Sequence, residues 1–191
     1  MKRSFTVALA LVLAAPLAWA QTTTWKSDSA HSEVDFSIKH MALTNVHGRF
    51  GTVDATIAYN AANITKSTVM ATINVAGVDT GETARDNHLK TDAFFDVAKY
   101  ATATFLSTSV TKEPHGLKVT GNLTIKGITK PVVLDVDGPT APVTGMDKKQ
   151  HVGFSATTTI HREDWGIGTS FPAAILGDDV KIDIELDAVQ Q

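Results

Sequence analysis

The stretch Val180-Lys-Ile-Asp-Ile-Glu-Leu-Asp-Ala188 decides the fold. Five apolar residues, Val180, Ile182, Ile184, Leu186 and Ala188, alternate with four charged ones, Lys181, Asp183, Glu185 and Asp187. Successive side chains of an extended chain point to opposite faces, so this run is a strand with one dry face and one wet face. A strand buried on both faces, as in a parallel sheet, reads instead as an unbroken apolar run. The pairing is therefore antiparallel.

The same period recurs upstream. Val34, Phe36 and Ile38 form one set; Val53, Ala55, Ile57 and Tyr59 a second; Val69, Ala71, Ile73 and Val75 a third; Ala101, Ala103 and Phe105 a fourth. Leu117, Val119, Gly121, Leu123 and Ile125 follow, then Val132, Leu134 and Val136, then Val152, Phe154 and Ala156 leading to Ile160. With the opening stretch this makes about eight strands. Residues 21–191 contain 25 threonines, and a β-branched side chain with one polar atom suits strands with a wet face. Turn chemistry separates the runs: Pro114 and Gly116, Gly127 to Pro131, and a long loop from Gly138-Pro139 to Gly145. Asp79 to Lys90 breaks the pattern and predicts a short helix, with Asp79 or Thr83 as capping residues. A weaker helical turn is expected around Phe171 to Leu176. These features describe an all-β single domain. Periodicity does not decide between a sandwich and an up-and-down barrel. Nor do the small residues on the apolar face, Ala55, Ala71, Ala101, Ala103, Gly121 and Ala156, decide between a dry core and a ligand cavity.

Lys2 and Arg3 precede an apolar run from Phe5 to Leu17 that ends in Ala18-Trp19-Ala20. A basic start, a run too short to span a bilayer and small residues at the end predict a cleaved secretory signal over 1–20. A single exported domain over 21–191 follows. Loss of Lys2 and Arg3 takes the net charge from -3 to -5, which disfavours a nucleic-acid partner. The chain has no cysteine, so thiolate metal sites, cysteine nucleophiles and Cys-ligated clusters are excluded.

Seven histidines, among them His31, His40 and His47, show no metal-ligand spacing, and no metal or other cofactor is expected. There is no G-x-S-x-G elbow and no phosphate loop. Thr80 to Asp96 is the most informative stretch. It places Arg85, Asp86, His88 and Lys90 on the helix and sends Phe94 and Phe95 off its end as an extended pair, one to plug the core and one to line a cavity or its mouth. Arg85 is expected either to pair with an Asp or to offer its planar fork to a polar head group.

The chain resembles the YceI family, the polyisoprenoid-binding, lipocalin-like periplasmic proteins of bacteria. Four ordered motifs carry the resemblance: Trp25, Asp28, His31-Ser32, Phe36, His40 and Gly48-Arg49-Phe50; Arg85-Asp86, His88-Leu89 and Asp92-Ala-Phe-Phe-Asp96; Gly121 to Thr129; and Arg162 to Gly166, where Trp165 stands in place of the Phe of many relatives. The resemblance implies an extended eight-stranded antiparallel β-barrel with a helical segment near 80–90. Its apolar tunnel would hold an isoprenoid lipid, a prenyl phosphate or a quinone. On this basis Phe36, Phe50, Phe94, Phe95, Phe105, Phe154 and Trp165 are the expected tunnel or mouth contacts, and Arg85, His40 and Arg162 the groups that would meet a head group. No catalytic residues are expected. A membrane b-type cytochrome or other quinone-dependent partner, and a homodimer, are further expectations from the family.

Overall fold

Every one of the eight alternating runs forms a strand, and their apolar faces all turn inward. A computed structural model describes residues 22–191; the export signal expected at 1–20 lies outside the described residues. The chain runs β1 (Thr22–Ser27), β2 (Glu33–His40), β3 (Thr44–Arg49), β4 (Val53–Asn60), β5 (Thr68–Asn74), α1 (Thr83–Leu89), β6 (Thr102–Glu113), β7 (Gly116–Ile125), β8 (Ile128–Asp137), β9 (Val143–Thr144), β10 (Gln150–His161) and β11 (Leu176–Gln190). All pairings are antiparallel.

Eleven segments occupy eight positions around a closed ring. β2 lies along Leu176–Glu185 of β11 and β1 along Ala188–Gln190 of the same strand, so the two are halves of one barrel position. β3 pairs with β2 and β4 with β1, which makes them the two halves of the next position. From there β5, β6, β7, β8 and β10 follow in order, and β10 returns to β11 over Asp179–Val189. The β10–β11 pairing closes the ring, and β3, paired with β2 alone apart from the Arg49–Asp79 bridge, keeps a short free edge.

Three segments escape the alternation. β1 (TTTWKS) and β3 (TNVHGR) each have one large apolar side chain, and β9 has two residues inside the loop expected from Gly138 to Gly145. They are strands because neighbouring strands offer backbone partners, not because of their own pattern. The break between β1 and β2 explains the Asp28…His31-Ser32 motif. Asp28 caps the turn by accepting from the Ala30 N–H at 2.9 Å, and the Ser32 hydroxyl both donates to the Asp187 carbonyl and accepts from the Asp187 N–H. The motif stitches the interrupted position back onto β11.

Register places apolar residues opposite apolar residues. Phe36 faces Ile182, Val34 faces Ile184, Phe154 faces Leu186 and Ala156 faces Ile184, all on the inside. The helix is shorter than the Asp79 to Lys90 expected. Asp79 exchanges two backbone hydrogen bonds with Arg49, prolonging the β3 edge, and Gly81 turns the chain at φ +74 before the helix can start. Glu82 is the N-cap, its carboxylate accepting from the Ala84 N–H, in place of Asp79 or Thr83. The turn expected near 171–176 is present, closed by Ile175 and Leu176 N–H groups on the Pro172 carbonyl.

Candidate functional site: an apolar cavity with one open rim

The inward faces of the barrel do not meet at its centre. They surround a cavity of about 460 Å³, within the range of small-molecule sites. Its wall is built from the alternating residues of nearly every position in the ring, and no Asp or Glu contributes to it. The small residues Ala55, Ala71, Ala103 and Ala156 on that wall are where the room comes from. Two glycines shape it further. A Cβ on Gly121 would lie 2.3 Å from the Phe105 ring, and one on Gly48 would lie 2.5 Å from the Phe36 ring. Each ring lies flat over a glycine of a neighbouring strand, so it hugs the wall instead of filling the lumen.

Aromatic side chains gather in two groups at the helix end. Phe36, Phe50 and Phe95 stack in sequence, with centroids 5.1 and 5.7 Å apart. Phe94 packs against His88 at 4.9 Å and Phe171 at 5.6 Å. Phe94 and Phe95 are both buried and both line the cavity. The segment that carries them is not extended as expected. Thr91 accepts from the N–H groups of Phe94 and Asp96, and Leu89 from that of Phe95, which makes it a tight turn. The two rings still diverge, one to each group.

Of the ten expected site residues, Phe36, Phe50, Phe94, Phe95, Phe105, Phe154, Arg85, His40 and Arg162 line the cavity. Trp165 does not. It is 2% exposed behind the wall, at the end of a 3₁₀ turn, with its indole N–H directed at the Leu123 carbonyl. The two arginines differ in what they have left to give. Arg162 is 2% exposed and donates to the carbonyls of Gly177, Ile167, Gly168, Phe171 and Leu176 and to the Glu163 carboxylate. Its fork is spent on holding the 166–177 segment against the barrel. Arg85 donates Nε–H to the Thr80 hydroxyl at 2.7 Å and an Nη2–H to the Thr80 carbonyl at 2.9 Å. It pairs with no carboxylate, contrary to the Asp pairing considered for it, because Asp86 is engaged by the Thr80 N–H and hydroxyl. Its Nη1 donors have no protein partner among the described residues.

The wall is exposed at one place. Among the residues lining the cavity, His40, His88 and Ile175 are the exposed ones, and all three belong to one rim: the end of β2, the face of α1 and the turn before β11. His88, Phe171 and Ile175 carry no signal in the strand alternation. The weak helical turn at 171–176 is the trace of that rim in the sequence.

The polar clusters lie elsewhere. His31 donates to Asp28 at 2.8 Å, and His151 bridges Asp187 at 2.8 Å and Asp147 at 3.2 Å. The Asp28 bond holds His31 above its ordinary value, and the Asp187 and Asp147 bonds do the same for His151. Asp28, His31 and Asp187 bring donor atoms within 4.8 Å of one another, as do His161, Asp178 and Asp179. Both groups are surface ion pairs outside the cavity. His47 sits opposite Ser37 and His40 opposite Thr44, so His31, His40 and His47 do not converge.

The YceI-like domain model matches residues 25–188 of this chain. A UPF0312 protein of Vibrio cholerae is 34% identical over 190 residues, covering 97% of this chain and 95% of its own. Protein YceI of Salmonella newport is 36% identical over 168 residues, covering 86% and 84%. Among solved structures, the Campylobacter jejuni YceI protein superposes with a TM-score of 0.71 at 36% identity, covering 81% of this chain and 90% of that one. A polyisoprenoid binding domain from Saccharophagus degradans shares the fold, with a TM-score of 0.63 at 16% identity, covering 88% and 99%.

Proposed function

This chain belongs to the YceI-like domain family, and on that premise we propose that it binds and carries an isoprenoid lipid, a prenyl phosphate or a quinone, in the barrel cavity after export to the periplasm. The observation that carries this reading is the cavity itself: an apolar lumen of about 460 Å³ without a carboxylate on its wall, open at a rim of histidines beside Arg85. A prenyl tail has no hydrogen bonds to offer, and the wall asks for none. Each buried CH₂ contributes roughly 0.8 kcal/mol, so about a dozen such groups supply on the order of 10 kcal/mol against the cost of ordering the chain. The head group stays at the rim, where the Nη1 donors of Arg85 suit a phosphate or a quinone carbonyl. The likeness to a polyisoprenoid binding domain supports the same ligand class.

The protein is read as a carrier and not an enzyme. The Thr80 hydroxyl is fixed between Arg85 and Asp86, with no histidine among the described residues bonded to it to relay a proton, and no carboxylate lines the wall near Ser67 or Thr158. The test is native mass spectrometry of protein purified from a bacterial periplasm without detergent, followed by organic extraction. A stoichiometric prenyl lipid is expected. A homogeneous apo mass that persists after incubation with prenyl lipids overturns the proposal.

A further inference from the structure

The cavity's open rim carries an exposed apolar tip. Beyond His40 the chain turns through Met41, Ala42 and Leu43, with Met41 47% and Leu43 75% exposed. Met41 and Ala42 both adopt left-handed backbone conformations, φ 51 and 56, which non-glycine residues adopt at a cost. The fold spends that cost on a turn that presents two large apolar side chains to solvent. The Met41 N–H donates to the Ile175 carbonyl at 2.8 Å, which ties this tip to the 172–175 turn, where Pro172, Ala173, Ala174 and Ile175 are also exposed. His40 and Ile175, at the roots of the two turns, line the cavity. An apolar surface therefore continues from the outside of the protein into the lumen.

Charge follows the same outline. Residues 36–47 and 165–177 contain no Asp or Glu in a chain of net charge -3, while Lys39, His40 and His47 flank the tip and are exposed. The acids begin at Asp178 and Asp179, where His161 is paired with them. An apolar point with an exposed lysine beside it, on two segments free of acids and with the nearest helix acids, Glu82 and Asp86, set across the rim on α1, fits an anionic bilayer surface, whose lipid chains accept Met and Leu and whose head groups attract the lysine.

We propose that the 41–43 tip, with the 172–175 turn beside it, docks on an anionic phospholipid bilayer and aligns the cavity rim with the membrane. The inference rests on the carrier reading, since the bilayer is where a prenyl chain would pass into the lumen without crossing water. Flotation with vesicles of phosphatidylethanolamine and phosphatidylglycerol tests it, using protein purified without detergent and scored in parallel for its bound lipid. The parent floats with the vesicles. The Met41→Asp/Leu43→Asp variant, whose substituted positions lie outside the core and whose folding is checked by its urea midpoint, should partition roughly tenfold more weakly or worse. Equal flotation of parent and variant overturns the proposal. So does a parent that stays in solution at low ionic strength, the outcome expected if the tip fits an apolar groove on a protein. A parent that retains prenyl lipid but ignores vesicles sinks the docking alone; one that floats but never holds lipid sinks the carrier reading.

Discussion

Replacing Arg162 by Met keeps a stem of similar length and removes the guanidinium that ties the 166–177 segment to the barrel. Two of its bonds, to the Ile167 and Gly168 carbonyls at 2.8 and 2.7 Å, are fully buried, and those to Gly177, Phe171 and Leu176 are partly so. An acceptor stripped of its partner in the interior costs about 1–3 kcal/mol, and one that water can reach costs much less. Two buried losses of about 2 kcal/mol each, with smaller ones at the other three carbonyls, are offset in part by no longer burying a charge. The expected net loss is about 4 kcal/mol, a large share of the roughly 5–15 kcal/mol that stabilises a domain. With a urea slope of about 2 kcal/mol/M the unfolding midpoint falls by about 2 M. Glu163→Gln is the control. Its carboxylate is half exposed, and its bond to Arg162 should be worth under about 1 kcal/mol. If Arg162→Met unfolds within about 1 kcal/mol of the parent, Arg162 is not the tie that the geometry makes it. Its place in the lumen would then have to be explained by a ligand.

Four further outcomes follow from the same contacts. Gly121→Val forces the Phe105 ring off the wall and into the lumen; it should cost about 1–3 kcal/mol of stability and lower the lipid retained per barrel, read by urea titration and native mass spectrometry. Phe154→Asp places a charge on an apolar wall, so a folded variant that still copurifies with stoichiometric lipid removes Phe154 from the lumen model. Arg85→Gln should weaken retention of a prenyl phosphate while leaving an isoprenoid hydrocarbon unaffected, because only the former offers oxygens to its free donors; equal loss for both ligands would assign it a purely structural part. His151 is held above its ordinary 6.5 by Asp187 and then Asp147, so its contribution to stability is complete below that value and disappears as pH rises through the raised one. The stability difference between parent and His151→Gln should therefore shrink as pH is raised from below 6.5 through the raised value, and a difference that stays constant in urea titrations across that rise removes the ion pair from the stability account.

Local pattern made much of this protein legible. Period-two alternation assigns each side chain to a face without knowledge of any partner, which is why all eight alternating runs are strands and why Phe36, Phe105 and Phe154 line the lumen, whereas Phe50, Phe94, Phe95, Arg85 and Arg162 stand outside those runs and were expected from motifs, not from alternation. Asp28 caps its own turn, a local demand, but Ser32 stitches to Asp187 of β11, and Gly48 and Gly121 make room for the Phe36 and Phe105 rings of neighbouring strands, so those positions matter only once the strands pair. Other features depend on which segments become neighbours. β1 and β3 are strands only because β11 and β2 offer them backbone partners, and Asp79 leaves the helix because Arg49 captures it. Trp165 and Arg162 lie three residues apart in the same motif, yet one packs behind the wall and the other reaches into it, a distinction set by the 3₁₀ turn between them. Whether the inner faces would close on a dry core or a cavity also lay beyond the sequence. That outcome depends on how many positions complete the ring and how the summed side-chain volume compares with the space they enclose, and alternation specifies neither quantity.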